Sequence, residues 1–504
     1  MTSSCNQSVT CTPAAAATGE PSGRRNRAMW TRLLAVAAAG LTTAATAAQA
    51  LPQDRSLPPP PPPASPSQLQ APTRIAPSSP LTAGAAKVDI STYAEKLPDK
   101  IEGINDPIYV RALVVGNGST RAALVTVDIG GMSTETWSNV SQRIERELNI
   151  PASQLVLTAT HSHSVPRMTG PEFENRIFEA IKKASDRAVP ARMAWGTGVS
   201  GINVNRNRID PITHNWWEGP NYEGVSDKTV AVLRFETPSG KQIGLLYNYA
   251  VHAVLNGQLD QVSGDIPGAA SRYVEESIGD DAVAVWSEGA SGDQNPLYFQ
   301  QTYDLREIRI AEYAKRGKDI ANAMPPGGEG LDRKNPRVAM LMRQQRQMAN
   351  SMGQMLGEEV LHVLRDNLER PVTTAQIAGV GKSVQCPGRR RTDQGRGGVT
   401  GSYVDAEPLS IRLSLLRIGD TMIGGVNAEV FNTIAQRFKA ESPYKHTMMA
   451  TLTNGSAGTG YIPNDAAFGY QTFEVLSSRL KPGCAETAIV DGLLDLVGDV
   501  GGPR

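Results

Sequence analysis

Cysteine and aromatic residues are scarce in this chain, and the scarcity of cysteine excludes one class of site. Only 4 of the 504 residues are cysteine, and Phe, Trp and Tyr together make up 5%. Cys5 and Cys11 lie near the N-terminus, which leaves Cys386 and Cys484 in the body of the chain. Neither belongs to a C-x-x-C pair, so a zinc site built from thiolates is excluded. These two thiols either form a disulfide in an oxidising compartment or stay free.

Net charge is absent as well. Lys and Arg total 50, Asp and Glu total 50, and the formal net charge is +0. This balance lacks the basic footprint of a nucleic-acid-binding protein and gives no general attraction to an anionic membrane. With 40% hydrophobic and 20% charged residues, the composition is that of a globular protein.

Long apolar runs are also missing. The strongest one, residues 33–41, is shorter than the roughly 20 residues that span a bilayer. It follows four arginines and precedes an A-x-A sequence at residues 48–50, which together form the pattern of a secretory signal peptide. We therefore expect residues 1–50 to be a leader and the protein to be secreted or periplasmic, with a membrane anchor as the less favoured alternative.

Proline is concentrated in residues 51–84, with an unbroken run at 58–63. This composition predicts a disordered, extended linker with no core of its own. We accordingly place the folded domain at residues 85–504.

Apolar segments of strand length alternate with helical segments in that domain. The strands predicted from this pattern are 122–128, 154–160 and two hairpins, 229–251 and 409–426. The predicted helices are 135–148, one that starts at Glu429, and two within 298–368. The pattern indicates a mixed α/β (α+β) fold, with one large catalytic domain of mixed β-sheets flanked by helices.

Two further segments are assigned structural roles. Met348, Met352 and Met355 share one face of a predicted helix, a spacing that is more typical of core packing than of a cofactor site. Residues 387–401 are basic and rich in glycine, but no helix follows them as a phosphate-binding loop requires. We expect a solvated surface loop there.

Histidine is scarce too, with 6 residues, and three of them indicate chemistry. His161 and His163 form an H-x-H pair at the end of a predicted strand, which places both rings on one side. His252 ends another predicted strand. Imidazoles, a carboxylate and one position open to water make up a hydrolytic zinc site, although imidazole is also a common hydrogen-bonding group. The remaining histidines are assigned to a helix interior or to polar loops without a ligand-type neighbour: His362, His214 and His446.

Seven short motifs resemble the neutral ceramidases, the neutral/alkaline non-lysosomal ceramidase family, and occur in the same order. They are TATHSHS at 158–164, GINDPIYVRA at 103–112, NVNR at 203–206, YAVH at 249–252 with SGD at 263–265, GDQNP at 292–296, AEVF at 428–431 and GYIP at 460–463. The resemblance covers roughly residues 88–500. Each motif is short, but chance agreement of so many in one order is improbable.

The resemblance implies roles for individual residues. As the family's zinc ligands it implies four residues: His161, His252, Glu429 and Tyr461. It implies that His163 polarises substrate or supports the ligands and that Arg206 contacts substrate. Tyr461 enters the ligand set through the resemblance alone.

The chain departs from the family in two ways. Asn295 stands where the family has a serine that is sometimes proposed as a nucleophile, and an amide side chain cannot form an acyl-enzyme of the serine type. Asn295 can at most bind substrate or an oxyanion. The chain also ends at Arg504, and we expect it to lack the C-terminal β-sandwich domain of longer ceramidases. Long-chain ceramide is therefore a less secure substrate than a smaller N-acyl amide.

The function expected on these grounds is hydrolysis of an amide bond in a ceramide-like N-acyl substrate by zinc-activated water. The partner is then a small-molecule or lipid amide, with transient contact to a membrane surface and no nucleic acid. The alternatives are a metal-dependent esterase or phosphoesterase, or a binding protein of the same fold whose catalysis is impaired.

Overall fold

The structure, a computed structural model, describes residues 78–501 with gaps at 92–100, 210–211, 213–215, 280, 321–323, 326 and 394–399. The predicted leader, residues 51–77 of the predicted linker, and His214 lie outside the described residues. None of the described helices is both long and apolar enough to traverse a lipid bilayer.

Strands and helices alternate along the described chain. The strands are β1 (Ser79–Pro80), β2 (Thr82–Asp89), β3 (Tyr109–Gly116), β4 (Arg121–Val127), β5 (Leu155–Ala159), β6 (Val189–Pro190), β7 (Arg192–Val199), β8 (Asn203–Ile209), β9 (Trp216–Asn221), β10 (Thr229–Glu236), β11 (Gln242–Tyr249), β12 (Val283–Glu288), β13 (Gln294–Pro296), β14 (Thr374–Ala375), β15 (Ile377–Arg391), β16 (Tyr403–Ile418), β17 (Thr421–Val426), β18 (Glu429–Val430), β19 (His446–Ala450) and β20 (Tyr461–Ile462). The helices are α1 (Thr134–Leu148), α2 (Pro171–Asp186), α3 (Asp265–Ile278), α4 (Gln300–Ala314), α5 (Pro336–Asp366), α6 (Asn432–Glu441), α7 (Phe473–Ser477) and α8 (Ala485–Gly501).

The first sheet uses the apolar segments that the sequence marks as buried. Its strand order is β5-β4-β3-β2-β6, with β4 and β5 parallel. Helices α1 and α2 cover one face, where Ile144 and Phe173 are fully buried, and burial of such a side chain stabilises the fold by about 1.5–3 kcal/mol. Ser133 caps the start of α1 and Asn149, with φ 55°, ends it. The helix expected at 135–148 is confirmed.

A second sheet, β12-β11-β10-β7, packs its inner face against the first. Leu113, Leu233 and Ile423 meet in this shared core, which therefore joins the second sheet both to the first and to a third. Helices α3 and α5 cover the outer face of the second sheet. Strands β10 and β11 form the antiparallel hairpin that the sequence predicts.

The third sheet has the order β15-β16-β17-β19 and is covered by α6 and α8. Its β16-β17 pair is the second predicted hairpin. A disulfide joins Cys386 of β15 to Cys484, just before α8, with Cα atoms 5.8 Å apart. This pairing settles the question that the sequence left open. The fold is thus mixed α/β, with several sheets flanked by helices, as expected.

Two expectations about local structure were wrong. Glu429 lies in the two-residue strand β18 rather than at a helix start, and α6 begins only at Asn432. The segment expected to be a surface loop from residue 387 continues as strand β15 to Arg391, because it pairs with the start of β16.

Two others needed adjustment. Met352 is fully buried in the core, but Met355 is 53% exposed, so the methionine face is only partly a core face. Strand β2 includes the expected boundary at residue 84, and β1 begins at Ser79, so described strands occupy the end of the predicted linker.

Candidate metal centre

His161 is positioned by the loop that follows β5. Its backbone adopts φ 60°, a left-handed conformation that costs a non-glycine residue about 1–2 kcal/mol. Its Nδ1 lies 2.7 Å from the carbonyl oxygen of Gly130. Donation of the Nδ1 proton to this carbonyl leaves the lone pair on Nε2, as metal ligation by imidazole requires.

His252 follows β11 and is held in the same manner. Its Nδ1 lies 2.7 Å from the carbonyl oxygen of Ser291, and its backbone N–H donates to Gln294. The side chain is fully buried. Its Nε2, which this tautomer leaves without a proton, has no hydrogen-bond partner.

Glu429 supplies the carboxylate. Its Oε2 lies 3.2 Å from His161 Nε2 and 3.3 Å from His252 Nε2. This oxygen is buried and, like His252 Nε2, has no hydrogen-bond partner. Two buried lone-pair atoms therefore face each other, and a buried acceptor without a donor is costly. A cation among the three ligand atoms removes that cost, so the residues present fit a metal ion.

His163 completes the histidine cluster on its exposed side. Its Nε2 is 3.3 Å from His161 Nε2, and its backbone N–H donates to Ala253. The ring nitrogens of His161, His163 and His252 all lie within 4.8 Å of one another, so these three residues could also hold a metal ion. His163 is therefore placed between the buried ligands and solvent.

The surroundings of the cluster shift the pKa values of His161 and His252 in opposite directions. Burial works against charge on His161, but the nearby Glu429 carboxylate outweighs it and raises the pKa of His161 to about 9. Burial, together with the positive charge of Arg206, lowers the pKa of His252 to about 4. Although burial opposes ionisation of Glu429, the two histidines hold its pKa well below the usual value. Without a cation, a protonated His161 thus balances the negative charge of Glu429.

Tyr461 reaches the cluster through strand pairing. Strands β18 and β20 are parallel, with Glu429 and Tyr461 as register partners, so their side chains project from the same side. The Tyr461 ring centroid lies 6.4 Å from that of His252. Burial raises the pKa of Tyr461 above its ordinary value. The predicted ligand is therefore beside the centre, and ligation by it stays a prediction.

Arg206 is buried, and its guanidinium donates hydrogen bonds to other groups of the protein. Nε donates to Glu474 at 2.5 Å, and one terminal nitrogen donates to the Gly292 carbonyl at 2.8 Å. Its guanidinium carbon lies 5.3 Å from the Tyr461 ring centroid. This arrangement suits a group that orients Tyr461, and the contact with substrate that the resemblance implies for Arg206 stays a prediction.

Asn295 is also buried, and both ends of its amide are engaged. Its Oδ1 accepts from Arg206 at 3.4 Å, and its Nδ2 donates to Glu218 at 2.9 Å. Glu218 in turn pairs with Arg306 at 2.5 Å. Asn295 therefore belongs to a hydrogen-bonded network that runs from Arg206 through Glu218 to Arg306.

The sequence analysis did not identify the two glutamates that belong to this hydrogen-bonded network. Glu474 and Glu218 lie in segments without a motif, and only the fold brings them to Arg206 and Asn295. The sequence analysis also assigned His446 to a polar loop without a ligand-type neighbour, and that prediction was wrong. His446 stacks on Trp195 with centroids 5.1 Å apart and lies 3.0 Å from Glu369.

Comparisons of the sequence with known proteins find similarity to neutral ceramidases. The family described as neutral/alkaline non-lysosomal ceramidase, N-terminal, matches residues 78–360. The neutral ceramidase of Drosophila melanogaster is 28% identical over 196 residues, covering 34% of this chain and 28% of that protein. Neutral ceramidase A of Dictyostelium discoideum is 26% identical over 249 residues, covering 43% and 34%. The chain thus spans about a third of the length of the curated relatives it matches.

Solved structures share the fold. The neutral ceramidase from Pseudomonas aeruginosa superposes with a TM-score of 0.62 at 16% identity, covering 84% of this chain and 74% of that one. A ceramidase complexed with C2 gives the same TM-score and identity, covering 84% and 75%. The matched family segment contains His161 and His252, whereas Glu429 and Tyr461 follow it. The place of these last two beside the histidines comes from the geometry described above.

Proposed function

The chain belongs to the neutral/alkaline non-lysosomal ceramidase family, and on that premise we propose that it is a zinc-dependent hydrolase of an amide bond in an N-acyl substrate. The observation that carries the proposal is that Glu429 Oε2 lies 3.2 Å from His161 Nε2 and 3.3 Å from His252 Nε2, and that Glu429 Oε2 and His252 Nε2 have no hydrogen-bond partner. Two imidazoles and a carboxylate are a donor set that zinc favours. Tyr461 is the proposed fourth ligand.

The metal ion and the side chains of the protein have separate roles in the proposed reaction. Zinc, when bound, supplies a Lewis acid that polarises the amide carbonyl and lowers the pKa of water. His163 Nε2, on the open side of the cluster, takes a proton from the attacking water and returns it to the amine nitrogen. Water adds to the carbonyl carbon, the C–N bond breaks, and an acid and an amine leave. Arg206, whose guanidinium carbon lies 5.3 Å from the Tyr461 ring centroid, orients that side chain beside the centre.

The substrate class follows from the relatives. The curated relatives are named neutral ceramidases, and we propose a ceramide-like lipid amide for this chain. An ester or phosphoester is the alternative. Phosphoesterases commonly use two metals, and the described residues contain a single potential metal cluster.

The test combines metal analysis with hydrolysis. Purified protein is assayed for bound metal and for release of amine from N-acyl amides, and from matched esters, before and after treatment with a chelator. We expect His161→Ala and His252→Ala to lose the metal and at least about a hundredfold in kcat/KM. His362→Ala is the matched control, since that side chain is 46% exposed on α5. Retention of metal and activity by both site variants would exclude the proposal.

We also propose that the protein is exported. The Cys386–Cys484 disulfide supports this, because disulfides persist in oxidising compartments. Fractionation of cells, with N-terminal sequencing of the mature protein, tests it. Full-length protein retained with reduced thiols in the cytosol would count against export.

A further inference from the structure

A cavity of about 250 Å³ is lined in part by Arg206, which also contacts Tyr461. Strand β8, the start of α4 and helix α5 surround it, and most of its wall is apolar or aromatic. We call it the aromatic pocket and define it by six of its lining residues: Val204, Tyr222, Leu297, Tyr298, Phe299 and Met348.

The rings of the pocket divide into a buried wall and an exposed mouth. Phe299 is 7% exposed and packs edge-on against Tyr303, with centroids 5.0 Å apart. Tyr222 and Tyr298 are 75% and 51% exposed. Two large exposed rings at the opening of an apolar cavity favour an apolar ligand, because such a ligand covers surface that otherwise faces water.

The pocket shares two residues with the hydrogen-bonded network beside the metal centre. Arg206 and Asn295 line it, and Arg206 also contacts Tyr461. The neighbour of Asn295 in β13 is Gln294, whose carbonyl accepts the backbone N–H of His252. Gln294, which holds the candidate ligand His252, and Asn295, which lines the pocket, are therefore adjacent residues of β13.

We propose that the aromatic pocket holds the apolar arm of the amide substrate and limits that arm to a short chain or a single ring. The proposal rests on the proposed function. The volume lies below the roughly 300–1,000 Å³ of sites for drug-sized ligands, so a long chain must leave through the mouth. Methylene groups beyond that point stay in water and add no binding energy.

The test uses two series of simple amides. In one the acyl arm grows from 2 to about 16 carbons with a fixed amine, and in the other the amine arm grows with a fixed acetyl group. Each methylene that enters the pocket raises kcat/KM about fourfold, which corresponds to about 0.8 kcal/mol. The series that rises and then levels identifies which arm occupies the pocket. A steady rise to the longest chain in either series would contradict the size limit.

Met348→Trp fills the pocket from α5, where Met348 is half-buried. We expect it to lower the ratio of kcat/KM for an eight-carbon arm over a two-carbon arm at least about tenfold, since two or more methylenes are excluded. Met355→Trp is the matched control on the same helix, 53% exposed and outside the pocket, and should keep the wild-type ratio. Leu297→Trp fills the pocket from the residue that follows β13 and serves if Met348→Trp does not fold. Equal ratios in filled and control variants would overturn the proposal.

A binding measurement keeps this inference separate from the proposed function. Sodium octanoate is titrated into wild-type protein and the variants by calorimetry. Weaker binding to Met348→Trp than to Met355→Trp supports the pocket even if no amide is hydrolysed. Hydrolysis that His161→Ala abolishes, together with octanoate binding that is the same in both methionine variants, would sustain the function and refute the pocket.

Discussion

Glu429 is the residue on which the charge of the candidate centre depends. It is the only carboxylate placed by an ion pair against both His161 and His252 among the described residues. Its charge raises the pKa of His161, against the effect of burial. The sequence picked out these three residues by type, but the carbonyls that fix both rings lie on Gly130 and Ser291, which no motif marks.

Glu429→Gln removes that charge and keeps the shape. We expect the pKa of His161 to fall from about 9 toward 6.5, because burial is then opposed only by the Gly130 hydrogen bond and the charge of Glu288, which are smaller effects. Metal affinity should fall about a hundredfold or more. Histidine NMR titration of metal-free protein and zinc competition measurements check the two effects. Glu369→Gln is the control, since Glu369 pairs with His446 outside the cluster; an unchanged His161 titration in Glu429→Gln would contradict the assignment.

Asn295 gives a second prediction for a single residue. Asn295→Ala leaves a buried Arg206 N–H and a Glu218 oxygen each with one partner fewer. We expect the free energy of unfolding to fall by about 1–3 kcal/mol, as for other buried groups that lose a partner. Urea unfolding measures it. A variant as stable as wild type, with altered kcat alone, would instead indicate that Asn295 acts directly on substrate.

Among the elements, those with clear periodicity were predictable and the shortest ones were not. Helix α1 and the two hairpins follow from apolar spacing and turn residues, which are local signals. Strands β18 and β20 have two residues each and no period, and they pair across α6 and β19. The expectation of a helix at Glu429 failed for that reason. The strand order β12-β11-β10-β7 likewise depends on distant pairing.

The disulfide gives a prediction for the elements that it joins. It links β15 to the start of α8 across a sequence separation of 98 residues. Replacing both Cys386 and Cys484 by Ser should lower the free energy of unfolding by about 2–4 kcal/mol, mainly because the unfolded chain gains freedom. Urea unfolding with and without a reducing agent tests this. Wild-type protein under reduction should match the double variant, and equal stability of all three samples would contradict the effect.

Metal binding and proton binding are linked in the molecule as a whole. With the pKa of His161 raised to about 9, the metal-free protein holds one proton there at neutral pH, and the metal must displace it. His252, with a pKa of about 4, presents no proton at neutral pH. We expect zinc affinity to rise up to about tenfold per pH unit between about pH 6 and 9, with release of one proton.

Chelator competition at several pH values measures this slope, and calorimetry in buffers of different ionisation enthalpy counts the proton. Zinc at about 100 times its Kd should also raise the unfolding free energy by about 2.7 kcal/mol. Glu429→Gln should flatten the pH dependence, because His161 then loses its proton at lower pH. Zinc affinity that is constant with pH in wild-type protein would show that the metal displaces no proton between pH 6 and 9, and would contradict the raised pKa of His161.

The candidate centre draws His161 and His252 from one part of the chain and Glu429 and Tyr461 from a part far downstream. During synthesis the last of these residues emerges only after nearly the whole domain has been made. The proposed ligand set is therefore incomplete until the chain has been made past Tyr461, so a metal held by all four residues would be loaded late in maturation. Its identity would then depend on the ions available where folding finishes, rather than on those present where translation begins.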